Sequence, residues 1–125
     1  DLAQYVHTPA NKIGVLLRAR GSDPTAARRL AMHISFAAPR FRTVDEVPED
    51  EIASERSIYE QQPDVQSKPE EVRAKIVEGR LRKEFLANVA LSEQSWIHDP
   101  SQTAAKALEE AGLEVLEFVR YALAE

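Results

Sequence analysis

The chain of 125 residues carries 16 Lys/Arg against 21 Asp/Glu, a net charge of −5, with 43% hydrophobic and 30% charged residues. That composition predicts one soluble globular domain with a real core, and the acidic total argues against bulk nucleic-acid binding. There is no cysteine, which excludes disulfide frameworks, thiolate zinc sites and cysteine nucleophiles and suits a reducing cytosol. No apolar run reaches the roughly 18 residues of a membrane span, and no secretory signal opens the chain. The charge alternates along the chain, at +4 over residues 1–45, −7 over 46–71, +3 over 72–88 and −5 over 89–125. This reads as complementary faces of one domain rather than a nucleic-acid stripe.

Asp1 in place of methionine predicts a cut or engineered N-terminus. Leu2 to Val6 and Lys12 to Arg20 read as two strands, the second with the apolar run Ile13, Val15, Leu16 and Leu17. Pro9 and Asn11 between them suit a hairpin, so the pair should be antiparallel. Gly14 predicts a bulge or a close contact, and Arg18 and Arg20 share a solvent face. Asp23-Pro24 opens a helix as N-cap and first residue. Its buried face should be Ala27, Leu30, Ala31, Ile34 and Ala38, and Pro39 ends it. His33 reads as a helix-face residue without a role.

The next helix begins at Pro48-Glu49-Asp50-Glu51 and carries Ile52, Glu55, Ile58 and Tyr59. After the linker Pro63 to Pro69, the expected tip of a protrusion, Lys68-Pro69-Glu70-Glu71 starts a long helix. Val72, Ile76, Val77, Leu81, Phe85, Leu86 and Val89 give that helix a broad apolar face. Gly79 interrupts it, which predicts close approach of a neighbouring backbone. The short break makes the two helices an antiparallel hairpin.

In SEQSWIHDP, Trp96 and Ile97 should pin an irregular segment to the core. Asp99-Pro100 repeats the cap-and-proline device ahead of a short helix through Ala104, Ala105, Leu108 and Ala111, capped by Gly112. Leu113 to Leu123 is the last strand. Val115, Val119, Tyr121 and Leu123 are expected on one face and Leu116, Phe118 and Ala122 on the other, with both faces buried. The fold class is therefore α+β: a small three-stranded antiparallel sheet packed with helices, plus a protruding antiparallel helical hairpin.

Chemistry is sparse. No GxxxxGK[ST] loop occurs, so the chain should not bind nucleotide itself. His7, His33 and His98 lack HExxH spacing, no serine sits in GxSxG, and the acids at 49–51 and 70–71 are explained by the helix dipole. The expectation is a protein with no enzyme activity, no cofactor and no metal.

The run KIVEGRLRKEF followed by VALSEQSWIHDPSQTA resembles the C-terminal half of bacterial elongation factor Ts. The matching positions are Lys68, Pro69, Lys75, Ile76, Val77, Glu78, Gly79, Arg80, Leu81, Lys83, Val89, Leu91, Glu93, Gln94, Asp99, Pro100, Ser101 and Thr103. Ser95-Trp96 departs from the proline and aromatic or apolar residue usual there, and Ala104 from valine. KIGVLLRARG, LAMHISFAAPRF and EVPEDEIASERSIYEQ also resemble the family, so the likeness covers essentially the whole chain.

The resemblance implies a division into a core of residues 1–47 and 92–125 and a helical hairpin of residues 48–91. It implies guanine-nucleotide exchange on the GTPase elongation factor Tu, in the cytoplasm. Partner contacts would be made by the first hairpin, at Tyr5, His7, Thr8, Pro9 and Asn11. The family's N-terminal ubiquitin-associated-like module and its Thr-Asp-Phe-Val segment are not in these residues, since Val44-Asp45-Glu46-Val47 is a different motif. The implied identity is a C-terminal part that anchors without the wedge that opens the nucleotide site. Two rival classes remain. One is a stand-alone interaction module or homodimer using Ile52, Ile58, Tyr59, Val72 and Ile76. The other, disfavoured by charge, is an RNA-binding module using Arg18, Arg20, Arg28, Arg29, Arg40 and Arg42.

Overall fold

The structure, a computed structural model, describes residues 2–6 and 13–122. Strand β1 (Leu2–Val6) runs antiparallel to β2 (Ile13–Arg20), from Leu2 opposite Arg18 to Val6 opposite Gly14. Strand β5 (Glu114–Ala122) pairs antiparallel with the other side of β2, giving the order β1-β2-β5. Because β2 is covered on one face only, its side chains alternate. Val15, Leu17 and Ala19 are buried, while Leu16, Arg18 and Arg20 face solvent, the arginines paired across to Glu117 at 2.8 Å and Glu114 at 3.1 Å. Gly14 is the close contact its position predicted: a Cβ there would run into the Tyr121 ring.

The class is α+β, but the strands are not confined to one sheet. β3 (Ser95–Trp96) and β4 (Asp99–Thr103) form a separate two-stranded ribbon where an irregular segment was expected. Asp99 is not the cap of the helix that follows. Its Oδ1 accepts from the Ser101 backbone N–H at 3.1 Å and hydroxyl at 2.6 Å, a local turn that competes with helix initiation. The cap is Thr103, whose Oγ1 accepts from Lys106 N–H ahead of Ala104–Ala111.

β5 also departs from simple alternation. Arg18 faces Glu117 but the next residue, Ala19, faces Val115, so one extra residue of β5 is accommodated there. Such a bulge inverts the faces of everything beyond it. Val115 therefore packs against the core with Phe118, and not on the face of Val119 and Tyr121 as expected. Val119 and Tyr121 are 56% and 44% exposed, so this strand is covered on one side only. The carbonyls of Val115 and Leu116 at the bulge accept from Arg42 Nη1 at 3.3 and 2.6 Å, and Glu46 holds the same guanidinium. Glu46 lies below the usual carboxylate range, chiefly because Arg42 donates to it.

Helix α1 (Pro24–Ala37) is capped as its sequence dictates, Asp23 Oδ1 accepting from Ala26 N–H at 3.1 Å. It lays Leu30, Ala31 and Ile34 on the inner sheet face, in one core with Val15, Leu17, Ala19, Leu91, Trp96, Ala104, Leu108 and Leu113. Ala38 is not part of that face; it closes the helix in the left-handed region at φ 49°. Gly21, at the β2–α1 corner, has φ 142°, and a Cβ would lie 2.9 Å from the Gly112 carbonyl oxygen. Gly21→Ala is thus expected to lose about 1–3 kcal/mol in urea denaturation from backbone strain. Wild-type stability in that variant would mean the corner relaxes freely.

The hairpin comprises α2 (Glu49–Glu60), the single turn α3 (Pro63–Gln66) and α4 (Glu70–Arg80). From α4 the chain winds on through a π-helical stretch, Leu81–Leu86, into the short α5 (Ala87–Val89). Tyr59, Val65, Val77 and Leu81 form a second core here, flanked by Ile52, Ile76, Phe85 and Leu86. The segment expected as a loose tip is thus a helical turn with Val65 buried. Gly79 has no neighbour within 4 Å of where its Cβ would stand, so close backbone approach does not account for it. The hairpin root is tied to the sheet domain by Arg40 and Phe41 N–H groups on the Val89 carbonyl and by Arg40 on Glu51 at 2.8 Å. Beyond the ribbon, α6 (Ala104–Ala111) ends at Gly112 in the left-handed region, as predicted.

Candidate functional site

The expected partner residues fall in two places. Tyr5 lies in β1 opposite Val15, next to the last pair of the ladder. His7, Thr8, Pro9 and Asn11 lie outside the described residues. The described β1–β2 ladder ends with Val6 against Gly14.

The five apolar residues proposed for self-association do not form one surface. Tyr59 is buried in the hairpin core, and Ile52 and Ile76 are half-buried against it. Burial is the main reason the Tyr59 phenol ionises less readily than usual, with Glu84 and Glu55 adding to it. Ile58 and Val72 alone of the five face outward, 56% and 37% exposed. The helices are also clamped by charge. Arg56 binds Glu78 through Nε at 2.7 Å and Nη2 at 3.2 Å, and Arg80 binds Asp64 and Gln62. Glu78 and Asp64 are held below their ordinary range, first by these donated hydrogen bonds. Being exposed, the pairs set the hairpin register more than its stability. At the turn Arg73 donates to the carbonyls of Lys68 and Gln66.

The most organised polar centre is one the sequence did not announce. His33, read as a helix-face residue without a role, is completely buried and bonded to Gln94, also buried. Gln94 Nε2 donates to the Asn88 carbonyl at 2.8 Å and the Ala37 carbonyl at 3.2 Å. Its Oε1 therefore points to His33 Nε2 at 2.9 Å, which must carry the proton. His33 Nδ1 is then the acceptor, and it takes the Ile97 backbone N–H at 3.2 Å. The Trp96 indole stacks on the His33 ring with centroids 5.0 Å apart, and His98 leans on Trp96 in turn, bonded to the Arg29 carbonyl. Desolvation is the largest reason His33 holds a proton less readily than a free imidazole; the Gln94 contact opposes it and His98 adds to it. Trp96 pins its segment as expected, but Ile97 is exposed and contributes its backbone instead.

Little in the sequence signals this centre, since His33 stands between Met32 and Ile34 on a helix that also carries Ser35, and nothing local points to Gln94. Among the described residues no three His, Cys, Asp or Glu side chains converge to hold a metal, and no helix is long and apolar enough to cross a membrane. On the outer sheet face Leu16 of β2 and Val119 and Tyr121 of β5 stand exposed beside the Arg18–Glu117 pair, a modest apolar patch.

Residues 1–125 match the family model for elongation factor TS. The chain is 40% identical over 125 residues to elongation factor Ts of Halorhodospira halophila, covering 100% of this chain and 42% of that protein. It is 40% identical over 121 residues to elongation factor Ts of Hahella chejuensis, 97% of this chain and 42% of the relative. For the Alkalilimnicola ehrlichii protein the identity is 38% over 124 residues, 99% of this chain and 41% of the relative. The chain thus spans about two fifths of the length of the relatives it matches.

Proposed function

Because the chain belongs to the elongation factor Ts family, we propose that it supplies the anchoring part of a guanine-nucleotide exchange factor for elongation factor Tu. The match across residues 1–125, against 42% of the relative's length, is the observation that carries this reading. Tyr5, His7, Thr8, Pro9 and Asn11 form the contact with the GTPase, and aromatic and imidazole rings suit such a surface by offering apolar area with a polar end. Residues 1–47 and 92–125 act as the core, and residues 48–91 as a hairpin protruding from it. The separate apolar cluster around Tyr59, Val65, Val77 and Leu81 supports that division. Exchange needs no bond to break, only tighter binding to the nucleotide-free GTPase than to its GDP form. The place of action is the cytoplasm, where elongation proceeds.

The 125 residues hold no Thr-Asp-Phe-Val run, so anchoring is separated here from the wedge that opens the nucleotide site. Stopped-flow release of fluorescent GDP from elongation factor Tu, run beside calorimetry, tests this. The expected result is detectable binding with little acceleration. His7→Ala should weaken the binding by about 1–2 kcal/mol, roughly 5- to 30-fold. Large acceleration by these residues alone would refute the separation of anchor and wedge, and absence of binding would refute the anchor.

A second reading is self-association through the hairpin, favoured by the outward Ile58 and Val72. Mass that rises with concentration, and falls back in Ile58→Glu, would support it.

A further inference from the structure

The centre at His33 joins α1 to the stretch from Asn88 to Ile97, with His33 and Gln94 61 positions apart in sequence. His33 sits on α1, and Gln94 bonds the last turn of α1 at Ala37 and α5 at Asn88. Ile97 lies between β3 and β4, directly after Trp96. The bonds run in one direction only. Gln94 must donate to two carbonyls, so its oxygen must accept, so His33 Nε2 must donate and Nδ1 must accept. Each ring nitrogen thus has a fixed partner, and only the neutral imidazole satisfies both. We infer that the His33–Gln94–Ile97 contacts form an acid-sensitive latch, and that protonation of His33 releases the β3–β4 ribbon and its Trp96 from α1.

The chemistry of the release is local. A proton added at Nδ1 turns an acceptor into a donor and aims it at the Ile97 N–H, which then has no partner. The positive charge would also be buried, and the groups around it offer little compensation. His98 faces it across the Trp96 ring and is itself a titratable base. Gln94 is neutral. Arg29 contributes only its carbonyl, which His98 occupies, and Arg120 from β5 donates to the Ser35 carbonyl two residues along α1. No carboxylate pairs with His33 among the described residues. Stacking on Trp96 favours a cation on its ring, but it restores neither the Ile97 bond nor the lost hydration.

Trp96 is the single tryptophan of the chain, so its fluorescence reads the latch directly. Acidification from neutral pH should red-shift the emission with a midpoint below about 6.5, the value of a free imidazole, while far-UV circular dichroism is retained. His33→Gln, which keeps an N–H and an oxygen without the charge, should remove the transition, whereas His98→Gln should leave it in place. A transition unchanged in His33→Gln, or lost in His98→Gln, overturns the proposal. Ring nitrogen NMR of the wild-type chain gives an answer even if His33→Gln does not fold. The latch requires the Nε2–H tautomer near neutrality and an Ile97 amide signal that moves with the His33 titration. An Nδ1–H tautomer, or an Ile97 amide indifferent to that titration, refutes it.

Discussion

Leu17→Ala is expected to destabilise the chain by about 2–5 kcal/mol, a large share of the roughly 5–15 kcal/mol that holds a typical domain folded. Leu17 is 0% exposed and lies in the middle of β2, the central strand of its sheet, paired on both sides. It stands opposite Ala3 of β1 and Phe118 of β5, and belongs to the core shared with Leu30 and Ile34 of α1. Truncation there leaves a cavity where strands on both sides and a helix above restrict collapse, which places the loss high in the range. Leu16→Ala is the control, one residue away on the outward face and 41% exposed. It should lose less than about 1 kcal/mol, since much of its area is already in water. Urea denaturation of both variants is the check. A larger loss in Leu16→Ala would mean that the buried and exposed faces of β2 have been assigned the wrong way round, and equal losses that the two faces do not differ in burial.

Part of that assignment was legible from sequence, since Arg18 and Arg20 at period two mark the solvent face without tertiary information. Leu16, read with Val15 and Leu17 as one apolar run, is placed on that face only by the structure. Local capping was equally plain at Asp23-Pro24 and at Gly112, where the chemistry lies within a single turn of chain. What failed was non-local. The β5 bulge is decided by pairing with a strand far earlier in the chain and by Arg42 capping its carbonyls, and it moves Val115 to the other face. Asp99-Pro100 had the composition of a helix start, yet its side chain was already committed to Ser101. The five candidate interface residues on the hairpin were chosen for apolarity, which marks an internal core as readily as a docking face. Only packing separates buried Tyr59 from exposed Ile58. His33 was missed for a related reason, since a single polar residue on a helix face is bland until its partner, 61 positions away, is known.

Gln94 shows how much rests on that partner. Gln94→Ala removes two donors and one acceptor at once, leaving buried His33 Nε2–H without its acceptor and the Ala37 and Asn88 carbonyls each short of a donor. An unsatisfied buried group costs about 1–3 kcal/mol, and the three share one network, so a loss of about 2–4 kcal/mol is expected rather than a simple multiple. Gln94→Glu discriminates more finely. A carboxylate cannot donate to the two carbonyls, so this variant should also be destabilised at neutral pH, but it favours the imidazolium next to it. In the wild-type chain the folded His33 pKa is lowered, chiefly by burial. The unfolded chain therefore binds more protons, and stability must fall as pH drops below about 6.5. With the carboxylate of the Gln94→Glu variant beside it, the folded pKa should instead be raised. The His33 contribution is then fully present below the unfolded value and is lost as pH rises through the folded one. The slope of stability against pH between about 5 and 7 should accordingly reverse sign between the wild-type chain and Gln94→Glu. Denaturation midpoints measured across that range decide it. Parallel slopes in the two proteins would show that the His33 imidazole does not feel the group at position 94, and that the contact between them has no electrostatic consequence.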